Sequence, residues 1–242
     1  MIMITIKNIS YYYSQSKPKD EDIIFSNFSF DIKKGEFVSI LGQSGCGKTT
    51  LANILAGYIK PIGGEILINN NPINKPGKNR ILVNQEKDLF EWMTVIDNIS
   101  IGTSNLLKIN KYLKLADLDR YKYKYPNQLS GGMKKKLSLT RALAVDPDFL
   151  ILDEPFSSLD YYTRQSLHLE LDKIFTITEK TIFLVTHDIE EAIFLSDRIV
   201  VVGGKPTSIK KEFKIGLPHP RKLNMKNTKQ FDHIKLQIQK NY

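Results

Sequence analysis

Cysteine is nearly missing from this chain of 242 residues, where Cys46 stands alone. An internal disulfide is therefore excluded, and the usage fits a reducing cytoplasm. No run of about 18 consecutive apolar residues occurs, so no segment reads as a membrane-spanning helix. The opening residues Met1-Ile2-Met3-Ile4-Thr5-Ile6-Lys7 lack a leading basic stretch and a small-residue cleavage site, and do not read as a signal peptide. Internal repeats and low-complexity tracts are absent too, which points to one unit and not a tandem pair. Acidic residues run short after Gly203, where ten Lys and Arg face only Glu212 and Asp232. That stretch holds nearly all of the net charge of +9. It lacks the interleaved aromatics of a single-strand binder, so a solvated end with weak attraction to a membrane surface is expected, and no nucleic acid.

With 41% hydrophobic and 25% charged residues, the remainder is ordinary globular composition. The length allows one full-sized core, with or without a small subdomain. Met1 to Asn8 alternates apolar and polar residues and reads as a strand. Ile23 to Ile32 reads as a second, with Ser14 to Asp22 as a polar hairpin or loop between them. Glu36 to Leu41 is a short apolar run that feeds Gly42-Gln43-Ser44-Gly45-Cys46-Gly47-Lys48-Thr49, and helix follows from Thr49 to Tyr58. Gly64 to Asn69 and Ile81 to Val83 read as further strands. From about residue 88 to 145 the texture is helical, including a Tyr/Lys-rich patch at Arg120 to Tyr125. Phe149 to Leu152 and Thr181 to Val185 are continuous apolar runs, as parallel strands buried on both faces require. The fold expected is α/β, with a P-loop NTPase core on a parallel sheet, an N-terminal antiparallel β subdomain and a helical insert.

The octet from Gly42 to Thr49 fits G-x-x-x-x-G-K-[ST] without a mismatch and lies between a strand and a helix, as that motif demands. Glycine lets backbone N–H groups approach a phosphate, Lys48 supplies a point charge to it, and the Thr49 hydroxyl suits Mg²⁺. Thr50 extends the same nucleotide-binding stretch, and Cys46 is a small filler within it. The apolar strand Phe149 to Leu152 ends in Asp153-Glu154, which places two acids at the sheet edge beside the loop. Asp153 suits the Mg²⁺ shell, and Glu154 is left to polarise an attacking water as general base. Gln85 follows the strand Ile81 to Val83 and is a candidate contact to both Mg²⁺ and water. His187 follows Thr181 to Val185 and is a candidate contact to the γ-phosphate. Asp160 lies just beyond Glu154. Leu129-Ser130-Gly131-Gly132-Met133 puts small residues at a helix start, where free N–H groups can face an anion. One phosphate loop suffices for one nucleotide, so the second motif is expected to cover a nucleotide held by another copy of the chain.

In this combination and order the motifs resemble the nucleotide-binding subunit of an ATP-binding cassette (ABC) transporter, from about Ile4 to Gly216. The resemblance implies an ATPase domain over residues 1–216, with the helical insert at about 88–145, and a basic tail over 217–242. It implies a head-to-tail homodimer in which Ser130, Gly131 and Gly132 of one copy complete the ATP site of the other. It also implies an aromatic residue stacked on adenine. Tyr11, Tyr12 and Tyr13 all offer one, and family spacing favours Tyr13. Where most of the family has Gln after the signature glycines, this chain has Met133. Met at this place, the segment Gln85 to Asn98 and Leu217-Pro218-His219-Pro220-Arg221 are each similar to importers of nitrate, sulfonates and taurine. By that likeness the chain sits on the cytoplasmic face of a membrane and powers permease subunits fed by an extracytoplasmic solute-binding protein. Glu86 to Thr94 would form a groove for a helix of the permease, with Trp92 either lining it or in the core. Lys134, Lys135 and Lys136 are expected on a solvated helix face. Exporter subunits, and soluble ABC-type ATPases acting on ribosomes or DNA, are the competing readings. The latter carry paired cassettes or long coiled coils, which this chain lacks.

Overall fold

In the computed structural model, which describes residues 1–13, 22–84 and 89–242, the chain opens on an antiparallel pair. β1 (Ile2–Tyr12) pairs β2 (Ile23–Lys33), and β3 (Phe37–Leu41) then leads through the glycine loop into α1 (Lys48–Ala56). β4 (Gly63–Ile68), β5 (Asn71–Pro72) and β6 (Arg80–Val83) follow. The helical insert carries α2 (Val95–Ser100), α3 (Leu106–Leu115) and α4 (Gly131–Ala144). β7 (Phe149–Asp153), α5 (Tyr161–Thr178), β8 (Thr181–Thr186), α6 (Ile189–Leu195), β9 (Arg198–Gly203), β10 (Ser208–Lys214) and α7 (Lys229–Gln239) complete the order. β1 outruns the expected end at Asn8. That residue adopts φ 50° inside a register shift between Ile6 and Ile9, which breaks the alternation without ending the pairing.

Two sheets result among the described residues. One is antiparallel, in the order β2-β1-β4-β5; the other runs β10-β9-β3-β8-β7-β6, parallel except where β10 joins β9. Successive side chains of a strand point to opposite faces. Leu150, Leu152, Ile182 and Leu184 therefore join a core with the helices of the insert, α5 and α6. Phe149, Ile151, Phe183 and Val185 join a second core with α1 and the antiparallel sheet. Both faces are covered, which is why these strands read as unbroken apolar runs.

The C-terminal segment departs from the expectation of a solvated end. α7 packs on α6 and buries Phe231 and Ile238, each contributing about 1.5–3 kcal/mol by removal from water. Lys229 stays exposed while Lys235 reaches across to Glu190 on α6, and a linear charge count cannot see the apolar stripe beside them. Leu217 and Arg221 are buried as well. The Arg221 N–H donates to Asp172 Oδ2 at 2.6 Å, and its Nη2 donates to the Ser196 carbonyl at 2.7 Å. His219 Nδ1 meets Asp172 Oδ1, while His219 Nε2 lies 3.3 Å from Asp197 Oδ1. Burial alone would lower the His219 imidazole, and the neighbouring Arg221 adds to that. Hydrogen bonds to Asp172 and Asp197 outweigh both and hold it above the usual histidine value.

A histidine raised in this way stabilises the fold fully below its ordinary value of 6.5 and loses that contribution as pH rises through the folded-state value. The melting temperature of the parent chain minus that of His219→Gln is thus expected to be largest at about pH 6 and to shrink at alkaline pH. Thermal denaturation followed across pH measures this; a gap that widens with pH would contradict it.

Candidate active site

β3, β8 and β7 are neighbours in one parallel sheet, so their C-terminal ends emerge side by side. The glycine loop leaves β3, His187 follows β8 and Glu154 follows β7; sheet order alone brings three distant sequence segments to one edge. Gly45 and Gly47 adopt φ 81° and 92°, a backbone that side chains rarely take. At Gly47 a Cβ would stand 2.5 Å from Ile24 Cγ2 and 3.2 Å from Phe25 Cζ, so the loop closes tightly over β2. The Cys46 carbonyl accepts a hydrogen bond from Thr207 Oγ1, across 161 residues of sequence. No spacing rule could have found that brace.

Lys48 is buried, and its Nζ donates to the carbonyls of Gly42 at 2.7 Å and Gln43 at 3.0 Å, which aims the ammonium along the loop. Thr49 Oγ1 donates to Asp153 Oδ1 at 3.2 Å. Burial raises the Asp153 carboxyl above its usual range, and Glu154 adds to this, against the opposing Thr49 hydrogen bond and Lys48 charge. A desolvated carboxylate beside a hydroxyl is a donor set that suits Mg²⁺, which takes one or two protein oxygens and completes its shell with phosphate and water. Among the described residues no cluster of three His, Cys, Asp or Glu competes as a metal site.

Glu154 sits at φ 45°, a left-handed backbone that costs about 1–3 kcal/mol in a residue with a side chain and persists only where the surroundings enforce it. Its N–H donates to the Val185 carbonyl at 3.0 Å, and its carbonyl accepts from Ser157 Oγ at 3.1 Å. The resulting turn sets Glu154 Oε2 3.2 Å from His187 Nδ1. A cleft of about 370 Å³ opens above, lined by Ser44, Gly45, Gly47, Lys48, Thr49, Thr50, Glu154 and Tyr13. Of the three candidate tyrosines only Tyr13 lines it, with its hydroxyl 2.8 Å from Thr50 Oγ1 and the Tyr11 ring packed edge-on at 5.0 Å. Ile24 also lines the cleft and was not anticipated; an aliphatic residue on a β-strand carries no signal for such a role.

Some expected residues stand apart. Ser130 caps α4 by accepting from the Met133 N–H at 3.3 Å, and neither it nor Gly131 nor Gly132 lines the cleft. Gly132 packs so closely on α5 that a Cβ would stand 2.4 Å from Thr163 Cγ2. Asp160 caps α5 by accepting from the Thr163 N–H at 3.1 Å, and the Thr163 hydrogen bonds hold its carboxyl below the usual range. Gln85 lies outside the described residues. Trp92 is 72% exposed and is not core; it flanks a groove of about 610 Å³ with Ile81, Leu89, Phe90 and Val145. Of the lysines expected on a solvated face, Lys134 remains partly exposed and pairs with Glu91 at 3.6 Å, whereas Lys136 is drawn against Glu170 on α5.

The profile of the ABC transporter family matches residues 25–157. The chain belongs to that family. It is 38% identical to the aliphatic sulfonates import ATP-binding protein SsuB of Bacillus cereus, over 97% of this chain and 94% of that one. It is 40% identical to the taurine import ATP-binding protein TauB of Pelagibacter ubique, over 82% of this chain and 78% of that one. Among solved structures, a dimeric post-hydrolysis state of the ATP-binding cassette MJ0796 bound to ADP and Pi is 30% identical, covering 89% of this chain and 100% of that one at a TM-score of 0.73. CbiO1 of Clostridium perfringens, at 24% identity and a TM-score of 0.80, shares the fold over 99% of this chain and 96% of that one.

As an ABC cassette, the chain has a phosphate loop whose tolerance to substitution separates strain from collision. Gly47→Ala incurs both and is expected to lower stability by more than about 2 kcal/mol. Gly45→Ala, where a Cβ meets nothing within 4 Å, incurs strain alone and a smaller loss. Urea denaturation of the two variants reads the difference; equal losses would show that the Ile24 contact yields freely.

Proposed function

We propose that this chain is the ATP-hydrolysing subunit of an importer for a small solute of the sulfonate or taurine kind. The observation that carries the catalytic part is the Glu154–His187 contact of 3.2 Å at the mouth of the cleft that holds Lys48. Tyr13 stacks on adenine, and its hydrogen bond to Thr50 fixes the ring at the cleft. Backbone N–H groups from Ser44 to Thr50 and the Lys48 ammonium bind the phosphates, which displace the ammonium from its carbonyl partners. Thr49 and Asp153, together with Gln85, would hold Mg²⁺, which would supply positive charge to offset that of the phosphates. Glu154 accepts a proton from water as the water attacks the γ-phosphorus, and the leaving ADP keeps the bridging oxygen. His187 orients Glu154 and donates to the γ-phosphate, stabilising charge where it develops.

Neither Ser130 nor Gly131 nor Gly132 lines the cleft of its own chain, which supports the head-to-tail pairing of two copies. In that pairing the N-terminus of α4, with its unpaired N–H groups, meets the γ-phosphate held by the partner, and Asp160 lies at the same junction. ATP thereby acts as the adhesive between copies, and its hydrolysis releases them. The apolar groove beside exposed Trp92 receives a short helix of a permease, so the motion of the insert reaches the membrane. No helix among the described residues is long and apolar enough to cross a membrane. A peripheral position at the cytoplasmic face, with solute choice left to the permease and its binding protein, follows from this reading.

Glu154→Gln is expected to retain ATP, lose turnover by at least about a hundredfold and trap the closed dimer. Captured with ATP from detergent-solubilised native membranes, it should bring a multi-spanning membrane protein with it. Ribosomal proteins or DNA in place of that partner would refute the importer reading. Ser130→Arg should bind nucleotide as the parent does but lose dimer-dependent hydrolysis; full activity in that variant would refute the shared site.

A further inference from the structure

Two cationic or polar side chains of α5 reach both turns of the catalytic pair. Arg164 and His168 are four residues apart and so lie on one face of the helix, one turn above the other. Arg164 Nη2 donates to the Leu159 carbonyl at 3.0 Å, in the loop that follows Glu154. Its Nη1 lies 3.4 Å from Asp188 Oδ2, the residue after His187. Asp188 is itself the cap of α6, its Oδ1 accepting from the N–H groups of Glu190 at 2.8 Å and Glu191 at 3.0 Å.

One turn farther along, His168 repeats the pattern in the core. Its Nε2 lies 3.1 Å from Glu191 Oε2, in the first turn of α6. Its ring packs edge-on against Phe156 at 4.9 Å, two residues beyond Glu154, and lies 6.1 Å from Phe194 on its other flank. His168, Glu191 and Phe156 are all buried. Both residues therefore hold the Glu154 loop with one contact and the His187 turn with the other. The left-handed Glu154 backbone is held by Val185 and Ser157, and the contacts from α5 brace the rest of its loop.

We infer that Arg164 and His168 are positioning residues that form a two-rung clamp setting the distance between Glu154 and His187. The inference rests on the catalytic roles proposed above for those two residues. Neither rung touches the cleft, so their loss moves the reacting groups without removing a nucleotide contact. A displacement of that kind lowers kcat and spares affinity. A pair that merely stabilised the core would lower the melting temperature and leave the turnover of folded protein unchanged.

The test uses the full chain with Arg164→Met, His168→Leu and the conservative His168→Gln, which keeps a donor to Glu191. Steady-state ATP hydrolysis is measured beside equilibrium binding of a fluorescent ATP analogue. Arg164→Met and His168→Leu are each expected to lower kcat by about tenfold or more while affinity stays within about twofold, and His168→Gln should recover most of the loss. Because His168→Leu leaves the Glu191 carboxylate buried and unpaired, failure of that variant to fold transfers the decision to Arg164→Met, whose side chain is half-buried. Parental kcat in Arg164→Met and in any folded His168 variant, or a matched loss of kcat, affinity and melting temperature, would overturn the clamp. Glu154→Gln run in parallel separates the two levels: if inert, the result bears on the clamp alone; if it turns over normally, the catalytic reading falls and the clamp with it.

Discussion

The chemistry of this cassette depends on the parallel pairing of β3, β8 and β7. β3 lies more than a hundred residues before β7 and β8, yet all three end at one sheet edge, where the glycine loop, Glu154 and His187 follow them. A one-residue slip in any pairing would turn a strand's side chains to the opposite face. The two apolar cores prevent this because each strand buries alternate residues on opposite sides. Packing energy spread over two cores thus sets the position of a few polar atoms at the edge.

That edge is also where local preference is overruled. Gly47 folds so close to Ile24 that an added Cβ would force a shift, and Glu154 takes a backbone conformation that favours glycine. Such strain survives because neighbours over-determine it, and the neighbours come from every layer. Val185 and Ser157 hold the Glu154 backbone, Thr207 holds the Cys46 carbonyl, and α5 reaches the loops that carry Glu154 and His187. Support of this kind fixes the Glu154 and His187 turns relative to the glycine loop.

The C-terminal segment carries a different lesson. Its excess of lysine suggested a solvated end, yet Phe231 and Ile238 fasten α7 to α6 and Arg221 anchors a buried charge cluster with Asp172, Asp197 and His219. Phe231 and Ile238, with Ile234 packed beside them, form the apolar stripe that docks α7, and a net charge cannot weigh it. Trp92 shows the converse: a large aromatic residue whose place in core or groove could not be chosen from composition proves exposed.

Sequence by itself determined whatever depends on short-range spacing. The glycine loop, the apolar strands, the small residues that start α4 and the paired acids at the end of β7 are local patterns, each tied to one backbone geometry by sterics or hydrogen bonding. Tertiary structure alone decided which distant residues meet. Tyr13 rather than Tyr11 or Tyr12 lines the cleft because of where β1 ends, and Thr207, Arg164 and His168 reach the site because of how layers stack. Contacts across more than a hundred residues follow from strand order and packing, which no local window contains.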